Sequence, residues 1–104
     1  MPYVLPDRVD SPRARWRAVD VVLDKGAGDC AYAIGLWDNE RCVAFRWNGT
    51  DDAPIGNPQS RGLPTWIMLD KWLNKSVLRQ VAKKNPEKAQ IMRAFLGLPV
   101  ENDA

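Results

Sequence analysis

The chain has 104 residues, 45% hydrophobic and 27% charged, with a formal net charge of +2 and no histidine. Length and composition fit one globular domain with a single modest core. The missing histidine excludes a Ser-His or Cys-His nucleophile pair and any His-containing zinc site, and so small a net charge makes no global case for nucleic acid.

Two cysteines, Cys30 and Cys42, can neither build a zinc site alone nor supply a disulfide framework. The N-terminus lacks an apolar secretory core, and no run approaches the roughly 20 apolar residues of a membrane helix. The expected location is therefore cytoplasmic, with no membrane partner. No cofactor motif or metal-ligand spacing is present, so none is expected.

Residues 1–12 carry Pro2, Pro6 and Pro12 and are expected to form an extended arm, which Tyr3, Val4 and Leu5 are placed to pin onto the body. The domain proper spans 13–98, and 99–104 form a C-terminal tail. Arg13 to Asp24 has the period of a first strand, with Val19, Val21 and Leu23 on one face. Arg13, Arg15 and Arg17 share a side, opposite Trp16. Lys25–Asp29 is a glycine-rich turn. Cys30–Trp37 and Arg41–Trp47 form a hairpin about Asn39, which tolerates the left-handed conformation of a tight turn. An Asn39-Glu40 loop pairs Leu36 with Val43, Ile34 with Phe45 and Tyr32 with Trp47. These six residues then form the core face. The other face is small, with Ala31, Ala33, Gly35 and Ala44, and one of the protein's own helices is the natural cover for it. Cys30 and Cys42 fall on opposite faces, so both thiols are expected to be free.

Thr65–Leu69 reads as a short fourth strand or a helix entry, with Asp70 as N-cap. Lys71 to Lys84 is helical, with Leu69, Leu73, Val77 and Val81 at a spacing of four and Leu78 beside them. Asn85-Pro86-Glu87 starts a second helix, and Gly97 ends it. That helix buries Ala89, Ile91, Met92, Phe95 and Leu96. The sum is an α+β domain: a three- or four-stranded antiparallel meander followed by two C-terminal helices packed on one sheet face.

Function has to be sought in the 20-residue stretch Trp47–Trp66, longer than the roughly 12–15 residues at which a loop is usually functional or disordered. Its candidate binding residues are Trp47, Asn48, Asp51, Asp52, Asn57, Gln59, Ser60, Arg61 and Trp66. The plain alternative is an Ω-loop whose Asx and Ser side chains cap its own turns. A second feature is the stripe Lys71, Lys75, Arg79 and Lys83, one cation per helical turn with no acid between, which an anionic partner would stabilise and a solvated face would also explain. The third is a set of five tryptophans, Trp16, Trp37, Trp47, Trp66 and Trp72. Trp with Arg suits both a base-stacking platform and a protein hot spot; core filling is the alternative, and Trp47 is expected in the core.

Together these features point to a small non-enzymatic binding or regulatory protein. Its loop and basic helix face would dock an anionic partner, either nucleic acid or an acidic protein surface. A nuclease-like or metal-assisted hydrolase with its site at 48–61 is the second reading, with Asp51 and Asp52 as its carboxylates. A subunit of a homodimer or larger complex is the third.

Overall fold

A computed structural model describes residues 3–99, and the expected tail lies outside the described residues except for Pro99. Strands β1 (Trp16–Asp24), β2 (Cys30–Trp37), β3 (Glu40–Trp47) and β6 (Ile67–Met68) form one antiparallel sheet in the order β1-β2-β3-β6. β4 (Gln59–Ser60) and β5 (Leu63–Pro64) make a separate small hairpin. Helices α1 (Asn74–Lys84) and α2 (Pro86–Leu96) follow. The α+β architecture is the one that the hydrophobic pattern specifies. No helix among the described residues is long and apolar enough to cross a membrane.

The hairpin turn is Asp38-Asn39, both with positive φ, one residue earlier than expected. Trp37 therefore pairs with Glu40, Ile34 with Val43 and Tyr32 with Phe45. Because side chains alternate with a period of two and the pairing moved by two, every residue keeps its face. The thiols stay on opposite faces and are free.

Both faces of the hairpin are buried, by different elements. On one, Ile34 and Val43 pack with Val22 beneath Val77, Leu78 and Val81 of α1 and Ala89 and Met92 of α2. Capping of α2 is as the sequence implied: Asn85 accepts from the Lys88 amide, and Gly97 adopts the left-handed cap; Asp70 accepts from the Trp72 amide but caps a 3-10 turn, while α1 itself starts at Asn74 without a side-chain cap. Lys88 ties α2 to β1 through Asp20 at 2.7 Å, and Arg41 of β3 donates to the Phe95 carbonyl while lying over its ring. Leu73 and Ile91 depart from expectation and are exposed. A single 3-10 turn, Lys71–Leu73, precedes α1 and carries Leu73 off the apolar stripe.

The small-residue face is covered by tryptophans rather than by a helix. Trp16 and Trp66 lie over Ala31, Ala33, Cys42 and Ala44, with Val9 of the N-terminal arm beside them. The rings of Trp16 and Trp66 are 6.1 Å apart, and those of Trp16 and Trp37 are 5.9 Å apart. The arm is docked from Tyr3 to Ser11: Val4 and Ser11 make backbone hydrogen bonds to Pro54 and Trp66, and Tyr3 donates to Asp24. Gly35 explains the stripe of small residues. A Cβ there would lie 2.5 Å from Cη2 and 2.8 Å from Cζ3 of Trp16, and closer still to the Arg17 carbonyl. Gly35→Ala is expected to cost about 1–3 kcal/mol by overpacking, read as a lower urea midpoint at unchanged m-value.

β1 starts at Trp16 rather than Arg13, and two bulges, between Ala18 and Asp20 and between Val21 and Leu23, break its alternation. The expected apolar face of Val19, Val21 and Leu23 does not survive them: Val22 enters the helix-side core and Val19 is exposed. A bulge re-aims side chains without changing the hydropathy pattern that precedes it.

Cys42, buried under the tryptophans, has its thiol pushed up to about 11 from about 9 by desolvation. The folded state therefore holds this proton more tightly than the unfolded chain. The resulting stability is fully present below about pH 9 and is lost as pH rises towards 11, about 2–3 kcal/mol in all. Stability of Cys42→Ala is expected to fall less between pH 9 and 11 than that of the parent, measured by urea unfolding along a pH series.

Candidate functional site

The 48–66 connection is a built structure. Trp47 and Asn57 exchange both backbone hydrogen bonds, at 2.7 and 2.9 Å, closing residues 48–56 into an Ω-shaped lobe. Asn48 is buried, donating to Asp24 Oδ1 at 2.8 Å and to the Gly26 carbonyl at 2.9 Å. It staples the lobe to the β1–β2 turn. Gln59 donates to the Gly56 carbonyl at 2.8 Å. Beneath the lobe, Arg46 is 0% exposed; its Nη1 donates to the Thr65 carbonyl at 2.7 Å and its Nη2 to the Ile55 carbonyl. Burial lowers its pKa, and it makes no ion pair among the described residues. Gly56 makes this possible: at φ +70°, a Cβ would meet the Arg46 guanidinium and the Trp47 carbonyl.

The residues expected to bind thus divide. Asn48 and Trp66 are inside, and the Trp66 indole donates to the Val9 carbonyl at 2.6 Å. Asp51 and Asp52 are exposed beside the Thr50–Ala53 turn. Ser60 and Arg61 sit at the β4–β5 hairpin, with Arg61 at its tip at φ 53°. Asn57 and Gln59 line the base. These side chains do not converge on one cavity. No group of three or more His, Cys, Asp or Glu is arranged to hold a metal ion among the described residues. Of the strand-one arginines, Arg13 pairs with Asp10, and Arg15 forms a two-pronged pair with Asp38 while lying over Trp37. The hydrogen bond from Arg15 holds the Asp38 carboxyl below its ordinary range.

Trp47 is not in the core. It is 49% exposed, edge-on to Phe45 at 5.4 Å, with Tyr32 a further 5.5 Å from Phe45. α1 and α2 cover the middle of the sheet and leave this end open. Ile67, paired with Phe45 and therefore on the same face, is 50% exposed.

A run of exposed apolar residues lies immediately C-terminal to the long loop. Ile67, Met68, Trp72 and Leu73 are all exposed within seven residues of chain, and Trp72 is 91% exposed. Met68, Leu69, Asp70, Lys71 and Trp72 line a shallow groove of about 300 Å³ with Glu40, Arg41 and Cys42 of β3. Lys71, Lys75, Arg79 and Lys83 are all solvent-facing, opposite buried Val77 and Val81. Of these, Lys71, Lys75 and Lys83 form no ion pair among the described residues. Trp72, Ile67, Met68 and Leu73 were not among the residues expected to bind. A helical projection of 70–84 carries the signal for Trp72, placing it among Lys75, Arg79 and Lys83 rather than on the apolar stripe.

No protein-family model, curated protein or solved structure matches this chain.

Proposed function

We propose that this is a non-enzymatic binding protein of regulatory type, and that it docks an acidic protein surface through the segment Ile67–Lys75. The observation that supports the reading is Trp72, 91% exposed, lining one groove with Met68, Leu69, Lys71 and Arg41. Burying a solvated indole is favourable only against a partner, and Trp ringed by apolar and basic groups is the usual make-up of a protein hot spot. Aliphatic side chains favour a protein over nucleic acid here, because a stacking platform gains from flat rings and not from Ile or Met. The lysines would steer an acidic partner and set the register.

Trp72→Ala is expected to leave stability within about 0.5 kcal/mol of the parent. The same change should weaken partner binding by at least about 2 kcal/mol. A photo-crosslinking residue at the exposed position 76, one turn from Trp72, in the cells that make the protein, should give one discrete adduct to an acidic protein. The adduct should disappear with Lys71→Glu/Lys75→Glu, and the purified pair should bind with the same dependence. Titration with single-stranded DNA, RNA and duplex DNA, followed by tryptophan fluorescence, should give no saturable response. Saturable quenching that weakens steeply with salt would replace the protein partner with nucleic acid.

A further inference from the structure

Asn48, the staple of the Ω-shaped lobe, is followed by Gly49. An asparagine Cγ is open to attack by the backbone nitrogen of the next residue, and a glycine there puts no side chain in the way. Asn48 is the one asparagine of the chain so placed. Asn57 and Asn85 precede proline, whose nitrogen carries no hydrogen to lose, and Asn39, Asn74 and Asn102 precede Glu40, Lys75 and Asp103. The fold needs both members of the pair. Asn48 ties the lobe to the β1–β2 turn, and a Cβ at Gly49 would run into the Ala53 and Pro54 carbonyls. The Gly49 carbonyl accepts from the Gly28 amide at 3.0 Å, while its own amide, the nucleophile, donates to no group among the described residues.

The surroundings of Asn48 accept an amide and would reject an acid. Its Nδ2 uses both hydrogens, on Asp24 Oδ1 at 2.8 Å and on the Gly26 carbonyl at 2.9 Å. Its Oδ1 is buried and meets no donor. Donors near by are spent on Asp24: the Gly26 amide and the Tyr3 hydroxyl both bond its carboxylate. A carboxylate at position 48 would therefore face a carboxylate and a carbonyl with nothing to donate to it. Unpaired buried oxygens and like charges at one site both oppose closure.

We infer that Asn48-Gly49 is a site of spontaneous deamidation, and that the reaction is a one-way latch which releases the lobe from the β1–β2 turn. The Gly49 nitrogen attacks Asn48 Cγ. The Cγ–Nδ2 bond breaks, and Nδ2 leaves as ammonia with the proton that the Gly49 nitrogen gives up. A five-membered imide remains. Water opens it at Cγ to give aspartate, or at the Asn48 main-chain carbonyl to give isoaspartate, which lengthens the main chain between Trp47 and Gly49. In the closed lobe the carboxamide is buried and its nitrogen is held, so reaction runs through local opening. Either product lacks the two donors that reseat the lobe. The latch is independent of the Trp72 segment, and its failure leaves that reading intact.

The test is incubation of the full chain at physiological temperature and mildly alkaline pH, folded and in urea, followed by peptide mapping that separates aspartate from isoaspartate. Asn48 is expected to convert before any other asparagine in the folded chain, about ten- to a hundredfold more slowly than in the unfolded chain. Trp72→Ala should convert at the parent's rate. In the converted protein the Gly28 and Asn57 amides, which bond the Gly49 and Trp47 carbonyls, should exchange about tenfold faster or more, with α1 and α2 still protected. Asn48→Asp should reproduce that pattern; if it fails to fold, the aged parent supplies the reading. The inference is overturned if another asparagine converts first, or if folding slows Asn48 by much more than a hundredfold. Equal rates in the folded and unfolded chains overturn it too, since Asn48 would then hold nothing. So does converted protein whose Gly28 and Asn57 amides exchange as the parent's do.

Discussion

Arg46→Ala is expected to destabilise the domain by about 3–5 kcal/mol. Two costs add. Truncating a fully buried long side chain leaves a cavity, and the Ile55 and Thr65 carbonyls lose their donor, at about 1–3 kcal/mol for each group left buried and unpaired. Those carbonyls lie on opposite arms of the long loop, so the guanidinium clamps the loop shut. At about 4–8 °C per kcal/mol for a domain near this size, the melting temperature should fall by roughly 12–40 °C. Hydrogen exchange should accelerate across 48–58 before it does in α1 or α2. Arg46→Met separates the terms: it keeps most of the volume, loses the hydrogen bonds and removes a buried charge that has no counter-ion among the described residues. A Met variant as stable as the parent would mean that the bonds only offset the cost of desolvating the guanidinium. A small shift for Arg46→Ala, with loop exchange unchanged, would show that the lobe holds itself through Asn48 and the Trp47–Asn57 pair.

Trp66→Ala is expected to cost about 3–5 kcal/mol, in contrast to the near-silent Trp72→Ala. The Trp66 ring covers Ala33 and Ala44, touches Trp16 and donates to the Val9 carbonyl, and its backbone amide donates to Ser11. Removing the ring should release the N-terminal arm as well as leave a cavity. Limited proteolysis should then cut within residues 5–12 at a rate at which the parent remains intact. A variant that loses stability but keeps a protected arm would show that the backbone bond from Ser11 suffices. The pair of substitutions also tests the assignment of roles to the tryptophans: equal losses at 66 and 72 would mean that Trp72 packs against the chain in solution and is not a docking residue.

The architecture was legible because it rests on periodicities and caps that are local in the chain. The hairpin faces, the Asp70 and Asn85 caps and the Gly97 stop follow from neighbouring residues. Asn39 marked the hairpin turn, but a type of turn needing positive φ at both central residues can recruit Asp38 as readily as Glu40 is rejected, and the spacing alone did not decide between them. The stripe Ala31, Ala33, Gly35 and Ala44 was visible; its cover was not. Small residues state that something comes close, and only the path of the chain shows that it is Trp16 and Trp66 rather than a helix.

The candidate site was legible in part. Polar residues in the 48–61 loop look alike in sequence whether they face inwards or outwards. Asn48 turned inwards because the β1–β2 turn offered Asp24 and Gly26, which are more than 20 residues away. Arg46, two residues before the loop, organises it, yet an arginine in a strand gives no hint that it will be buried without a carboxylate.

What the sequence by itself determined is the order and type of the main elements, the two-sided hairpin, the free thiols and the basic face of α1. Each depends on side-chain period or on a cap within one turn, so a few consecutive residues carry the information. Only the tertiary structure decided which tryptophans are core and which are surface, that two bulges re-aim β1, and that the long loop is clamped from below. Those outcomes depend on the area that two helices of 11 residues each can cover. They pack over Val22, Ile34 and Val43 and leave the Trp47–Ile67 end of the sheet open, and no local pattern records where a covering element runs out.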